Sequence, residues 1–326
     1  MPSLRRLAAV TLAGAALLLT ACAPEDSADS ASSATRDVVT DRGTVTVPAE
    51  PKRVVVLNYA LAGYLYKLDV PVTATIPEDA NAAEGKFSDF WAAEAQADGT
   101  VFLPWRVDGF DLEAVLAADP DLIVGGGIGF PLAQAEQVYD KLTDIAPTVL
   151  VSGSLTTWRD QFSFLAEDVF GKGDEYAEYV AAYDTRVAEV RAAITPPEGP
   201  VAYLAFTADG TAYALVETVG LPVELAELGI EPAPIFASGD FEVYGKGGDM
   251  FELSTEQVGK TVTQPTVFVM GFNGETTDVA TLKQNPVYAA LPAFAEDRAH
   301  DLPYWVLRGD YDEAMALLDI IAERFA

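Results

Sequence analysis

A single histidine, His300, and a single cysteine, Cys22, supply all the imidazole and thiol in this chain. With one imidazole, no Ser-His-Asp arrangement can exist away from His300, and no G-x-S-x-G elbow is present. His300 opens a β-rich run near the C-terminus, where a structural or surface role is the ordinary reading. Zinc, manganese or copper capture wants several His or Cys ligands. Carboxylates alone could hold calcium, but the D-x-D-x-D-G type of loop is missing. The residues argue against an enzyme, and against a resident metal or cofactor.

Two glycine-rich stretches come close to phosphate-binding motifs. In "DLIVGGGIGF" the Gly125-x-Gly127 pair lacks the third glycine of a dinucleotide fingerprint, with Phe130 in its place. In "GDFEVYGKGGD" five residues separate Gly239 from Gly245, and Gly247 stands where a P-loop needs Ser or Thr after Lys246. Each reads better as a loop where backbone approaches closely. What remains is a set of aromatics and arginines at the ends of β-rich runs: Asn58 and Tyr59, Trp105 and Arg106 in "FLPWRVDGF", Phe206, Trp305 and Arg308. Ligands of open α/β sheets sit beyond the carboxyl ends of the strands. Aromatics converging there with arginines among them suit a cleft for a large, flat, partly anionic ligand.

The elements that must position these residues alternate short β-rich runs with helical patterns, the signature of α/β lobes with mainly parallel sheets. Candidate strands are Arg53 to Asn58, Pro71 to Ile76, Asp121 to Gly126 and Thr148 to Gly153, then Val201 to Phe206, Thr211 to Val216, Thr266 to Phe272 and Asp301 to Val306. Between the sets, Tyr176, Tyr179, Val180, Tyr183, Val187, Val190 and Ile194 recur at helical spacing, predicting one long helix over Glu175 to Ile194. Thr195-Pro196-Pro197 ends it. The fold class expected is two α/β lobes, each a mainly parallel sheet flanked by helices, joined by that helix with a ligand cleft between them.

The N-terminus adds an address. Arg5 and Arg6 precede an apolar run, Leu7 to Leu19, that is too short to span a bilayer but suits a signal peptide. Leu19-Thr20-Ala21-Cys22 resembles a bacterial lipobox, which makes Cys22 the lipid-modified N-terminus and anchors the protein to the outer face of the membrane. Ala23 to Thr35 is a run of Ala, Ser, Asp and Glu that buries almost nothing, and so reads as a tether. The division expected is signal peptide 1–21, tether 22–40, N-terminal lobe 41–155, helical segment 156–197 and C-terminal lobe 198–326. Fifty acidic residues against 20 basic give a net charge of −30 and no basic stripe, so nucleic acid is an unsuitable partner.

"GTVTVPAEPKRVVVLN", "DLEAVLAADPDLIVGGG", "LSTEQVG" and "NPVYAALPAFAEDRAHDLPYWV", in that order, resemble the substrate-binding proteins of ferric-siderophore, haem and cobalamin ABC importers. That resemblance covers most of the chain beyond the tether. It implies two lobes on a rigid connecting helix, with the ligand held between them and delivered to a permease dimer. It also implies that Glu113 in "DLEAVLAADPD" and Glu256 in "LSTEQVG" dock on permease arginines. Both glutamates fall in the first turn of a helix capped by Asp111 or Ser254, where a carboxylate also favours the helix dipole. Cleft contacts carry over to Trp105, Gly126, Phe206 and Trp305; "LNYALAGYLYKLDVPV" has Leu-Asp where Leu-Gly often stands, which loosens the place of Tyr59.

The ligand class expected follows from the donors present. Iron would arrive already chelated, and a siderophore needs only aromatic walls and arginines facing its chelating oxygens. Haem, the alternative with cobalamin, would want an axial residue such as Tyr59 or Tyr244. A hydroxamate siderophore is preferred to a catecholate, because a triply charged complex would favour more arginines than Arg106 and Arg308. An exported enzyme of the same fold, or a surface sensor, is the remaining alternative.

Overall fold

The computed structural model describes residues 34–80, 84–245 and 248–326. Cys22 and the proposed signal peptide lie outside the described residues. Strands β1 (Thr35–Thr40) and β2 (Gly43–Pro48) form an antiparallel hairpin that buries Val38 and Val47. The expected tether, 22–40, therefore stops short of its predicted end. β-branched alternation in "TRDVVT" and "GTVTVP", joined at Gly43 with φ of 101°, gives these residues a face to bury.

The N-terminal lobe follows. Strands β3 (Val54–Val56), β4 (Val72–Thr75) and β5 (Val101–Phe102) precede a short hairpin, β6 (Trp105–Arg106) with β7 (Gly109–Phe110). Strands β8 (Leu122–Gly126) and β9 (Thr148–Val151) complete an all-parallel sheet of order β5-β4-β3-β8-β9. Every residue of β3, β8 and β9 is buried, the mark of a parallel strand covered on both faces.

The connecting helix spans Gly173–Ala193, close to its predicted bounds. Its apolar stripe seats Tyr183 and Val190 in the core, with Tyr176, Tyr179, Val180 and Val187 half-buried against it. The C-terminal helix Tyr311–Phe325 packs on it, burying Tyr311, Ala314, Leu317, Leu318 and Ile321.

The second sheet is mixed. Strands β10 (Val201–Phe206), β11 (Ala212–Leu215), β12 (Met250–Leu253), β13 (Thr266–Gly271) and β14 (Ala299–Asp301) run in the order β12-β11-β10-β13-β14. β11 pairs antiparallel with β10, from which only a tight turn at Ala208 to Gly210 separates it, and also antiparallel with β12. The last predicted strand, Asp301 to Val306, is displaced. β14 ends at Asp301, and Pro303 turns the chain into a 3₁₀ segment, Tyr304–Arg308, that carries Trp305 and Arg308.

Candidate functional site

Loops from the carboxyl ends of the parallel strands in both sheets line one cavity of about 340 Å³. Asn58 to Ala60 follow β3, Ile76 to Ala80 follow β4, Thr207 and Ala208 follow β10, Phe272 to Thr276 follow β13, and the Tyr304–Arg308 turn follows β14. The cavity thus sits where an open α/β sheet presents ligand-binding loops, with one sheet on each side.

Asn58 ties the N-terminal side together. Its Oδ1 accepts from Ala60 N at 3.1 Å as the N-cap of helix Tyr59–Lys67, while its Nδ2 donates to Gly126 O at 2.7 Å. Tyr59 lines the cavity, packs on Trp91 at 5.0 Å between ring centroids and donates its hydroxyl to Lys86 O at 3.0 Å. Burial pushes its phenol far above the ordinary range, so it stays protonated. Trp105 also lines the cavity, its indole N–H donating to Gln134 Oε1 at 2.6 Å.

On the opposite side, Tyr244, Trp305 and Arg308 line the cavity as well. Trp305 meets Phe90 edge-on at 5.0 Å, and Tyr244 tilts against Phe130 at 5.3 Å, so each aromatic pair crosses from one lobe to the other. Arg308 donates from Nε and Nη2 to the two oxygens of Asp249, at 2.8 and 2.9 Å, and lies over Phe272.

Three expected contacts are elsewhere. The Arg106 residue is exposed on the small hairpin and is absent from the lining; its carbonyl, with that of Val107, accepts from Gln134. Gly126 is buried beneath the cavity floor: at φ of 86°, a Cβ there would lie 2.3 Å from Val151 O. Its role is to let β8 and β9 approach, and Asn58 holds its carbonyl. Phe206 is 1% exposed and packs edge-on against Tyr288. Its carbonyl accepts from Phe272 N and Thr276 Oγ1, so Phe206 shapes the lining loop from behind.

Sequence reasoning missed the carboxylates. Glu78, Glu275, Asp310 and Glu313 all line the cavity. Asp310 and Glu313 form the capping box of the C-terminal helix, and Glu313 Oε1 also accepts from Ser88 Oγ at 3.0 Å. Burial raises Glu78 to about 7, against the opposing effect of Arg308. It raises Asp310 to about 6, and pushes Glu313 well up with Asp310 adding to the effect. The D-x-x-E spacing at Asp310 announces a helix start, but nothing local announces that it faces a cavity.

The profile of the periplasmic binding protein family matches residues 54–304, which run from β3 to the start of the Tyr304–Arg308 turn and hold most of this lining, though not Trp305, Leu307, Arg308, Asp310 or Glu313. The chain belongs to the periplasmic binding protein family. Like its relatives it is a substrate-binding protein rather than an enzyme. This periplasmic binding protein is 29% identical over 303 residues to the ferric enterobactin-binding periplasmic protein FepB of Escherichia coli O6:H1, covering 89% of this chain and 91% of that one. It is 27% identical over 314 residues to the putative ABC transporter substrate-binding lipoprotein YhfQ of Bacillus subtilis, covering 93% and 92%. In three dimensions it superposes on holo-ViuP with a TM-score of 0.74 at 21% identity, covering 89% of this chain and 95% of that one. FeuA of Bacillus subtilis, complexed with ferri-bacillibactin, gives 0.68 at 20% identity, covering 88% and 97%. The two-lobed fold with its long helix is that of these binding proteins.

Proposed function

We propose that this protein captures a ferric siderophore outside the cytoplasm and delivers it to the permease of an ABC importer. The observation that carries this reading is the aromatic-walled cavity between the two sheets, in a chain whose relatives include a ferric enterobactin-binding protein. Tyr59, Trp105, Tyr244 and Trp305 offer ring faces to a bulky chelate. Among the described residues no group of His, Cys, Asp and Glu is arranged to hold a metal ion, so iron enters as a complex. Haem is less well served, since the Tyr59 hydroxyl is held protonated on Lys86 O rather than free to ligate.

A hydroxamate siderophore suits the cavity better than a catecholate. Arg308 is the only Lys or Arg among the described lining residues, and Asp249 already pairs with it. Glu113 and Glu256 are proposed as permease contacts. Each is exposed in the first turn of a short helix, Leu112–Ala117 or Thr255–Thr261, and Glu256 pairs only with exposed Lys260, at 2.5 Å. Cys22 supplies the lipid anchor in this reading.

Titrating the purified mature protein with ferric siderophores and following tryptophan fluorescence tests the proposal. Trp91, Trp105 and Trp305 line the cavity, so a coloured iron complex bound there quenches them. Saturable quenching is expected for at least one hydroxamate complex. The reading is overturned if no ferric siderophore quenches while haem or cobalamin does.

A further inference from the structure

We propose that the cleft selects a ferric hydroxamate complex carrying a free ammonium group, and that Glu78 and Glu313 receive this cation. The inference rests on the siderophore reading above and adds the charge and the chemical group that the cavity recognises. The cavity and its aromatic walls define the site; the carboxylates decide what kind of complex fits it.

The described cavity lining carries more carboxylates than cations. Glu78 follows the end of β4 and, among the described residues, the cation that acts on it is Arg308, with Asp79 opposing. Glu313, 7% exposed, accepts among the described residues from neutral donors, Ser88 Oγ at 3.0 Å and Asp310 N at 3.0 Å. Asp310 lies beside it, 4% exposed, accepting from the N–H groups of Asp312 and Glu313. Glu275 adds a further carboxylate from the loop after β13. Against these stand Arg308, whose Nε and Nη2 are engaged by Asp249, and Lys67, which lies outside the lining, pairs with Asp312 and acts on Asp310. A cation seated between Glu78 and Glu313 would supply the missing counter-charge in a partly desolvated space, where such a contact is strongest.

A bare metal ion does not fit the role, because no described group of these residues is arranged to hold one. An organic ammonium does. The neighbouring rings of Tyr59, Trp91, Tyr304 and Trp305 can face its methylene stem and attract its charge. Hydroxamate groups neutralise ferric iron when they fill its coordination sphere, so an amine elsewhere on the chain leaves the complex a cation. Catecholates leave it a trianion, which Glu78, Asp310 and Glu313 would repel. Burial raises the pKa of both Glu78 and Glu313, and a cation seated beside them would lower both.

The test uses the mature protein and three ferric complexes: a linear trihydroxamate with a free primary amine, the same compound N-acetylated, and a hexadentate tricatecholate. Affinities come from tryptophan quenching at constant ionic strength, pH 8. The amine complex is expected to bind about tenfold tighter than its acetylated form. Glu78→Gln should remove most of that ratio, weakening the amine complex far more than the acetylated one, which a merely structural role of Glu78 would not do. The tricatecholate should bind weakest and gain affinity in Glu78→Gln. Equal binding of the free and acetylated amines, or a ratio unchanged in Glu78→Gln, overturns the charge inference and leaves the siderophore reading standing. If none of the three binds, the charge inference falls, and the siderophore reading falls with it if haem or cobalamin quenches instead.

Discussion

Arg308 and Asp249 form a two-pronged ion pair at the cavity wall, at 2.8 and 2.9 Å, with the Asp249 side chain 6% exposed. The pair joins the turn after β14 to the residue just before β12, and fixes Arg308 over Phe272. The burial that would discharge the guanidinium is outweighed by Asp249 and Tyr244, and its pKa stays above the ordinary value.

Removing one partner leaves the other charged and enclosed. Asp249→Asn is expected to destabilise the protein by about 3–5 kcal/mol, the usual penalty for orphaning a buried charge. Urea unfolding of the ligand-free protein measures it. A loss below about 1 kcal/mol, the range of exposed pairs, would mean that water or Tyr244 satisfies Arg308 without Asp249.

Trp305 and Phe206 separate lining from support. Trp305→Ala should weaken ligand binding by about 1–3 kcal/mol, as for an aromatic anchor, with a small effect on folding. Phe206→Ala should do the reverse, costing about 3–5 kcal/mol of stability through its emptied site against Tyr288. The affinity of the folded fraction should hold, because the carbonyl that positions Phe272 and Thr276 is retained. Fluorescence titration beside urea melts distinguishes the two; a Phe206 variant that folds normally and binds poorly would make Phe206 a ligand contact.

Glu224, 8% exposed on helix Leu221–Ala226, is raised to about 7 by burial, with Glu227 adding and Trp158 N–H and Arg159 opposing. Unfolded, it titrates near the ordinary glutamate value of about 4.3. Between those values the folded chain keeps a proton that the unfolded chain has lost. Stability therefore falls as pH rises through this window and levels off above it. Glu78, raised to about 7 as well, acts with the same sign. Denaturation midpoints should be higher at pH 5.5 than at pH 8. Glu224→Gln should recover on the order of 1–3 kcal/mol at pH 8 and flatten the profile. An unchanged slope in the variant would mean that Glu224 is charged in the folded protein at pH 5.5.

Glu113 and Glu256 are away from the cavity lining, so their loss should spare ligand affinity. Uptake of the iron complex into cells should drop in Glu113→Ala and Glu256→Ala, and furthest in the double variant, while stability changes by no more than about 0.3–1 kcal/mol. Wild-type uptake by the double variant at equal surface abundance would reduce both glutamates to helix-terminus charges.

Cys22→Ser should release a folded protein to the medium or leave the unprocessed precursor in the membrane. Membrane retention of the correctly processed variant would remove the lipid anchor from the account.

Local chemistry made much of the architecture legible. Buried strands such as "DLIVGG" and "TVLVSG" are β-branched runs closed by glycine, and the long helix shows its stripe from Tyr176 to Val190. Tyr59, Trp105 and Trp305 were placed near the cleft by their positions beside strand ends, a relation that survives folding because parallel sheets expose their carboxyl edges. Arg106 ends β6 and Phe206 ends β10, yet neither lines the cavity. Alternation along the backbone turns one strand-end side chain to the cavity and the next to the core or to solvent, and a shift of one residue reverses the outcome.

The sequence by itself determined the sheet-and-helix plan and the family. Tertiary structure alone decided the charge of the cavity. Glu78 belongs to a loop near the start of the chain and Glu313 to its last helix, and each looks locally like an ordinary solvated carboxylate or helix cap. They face one space because the C-terminal helix folds back onto the connecting helix and brings its first turn to Ser88 in the other lobe. Electrostatic coupling depends on distance and burial, not on separation along the chain, and the fold sets both.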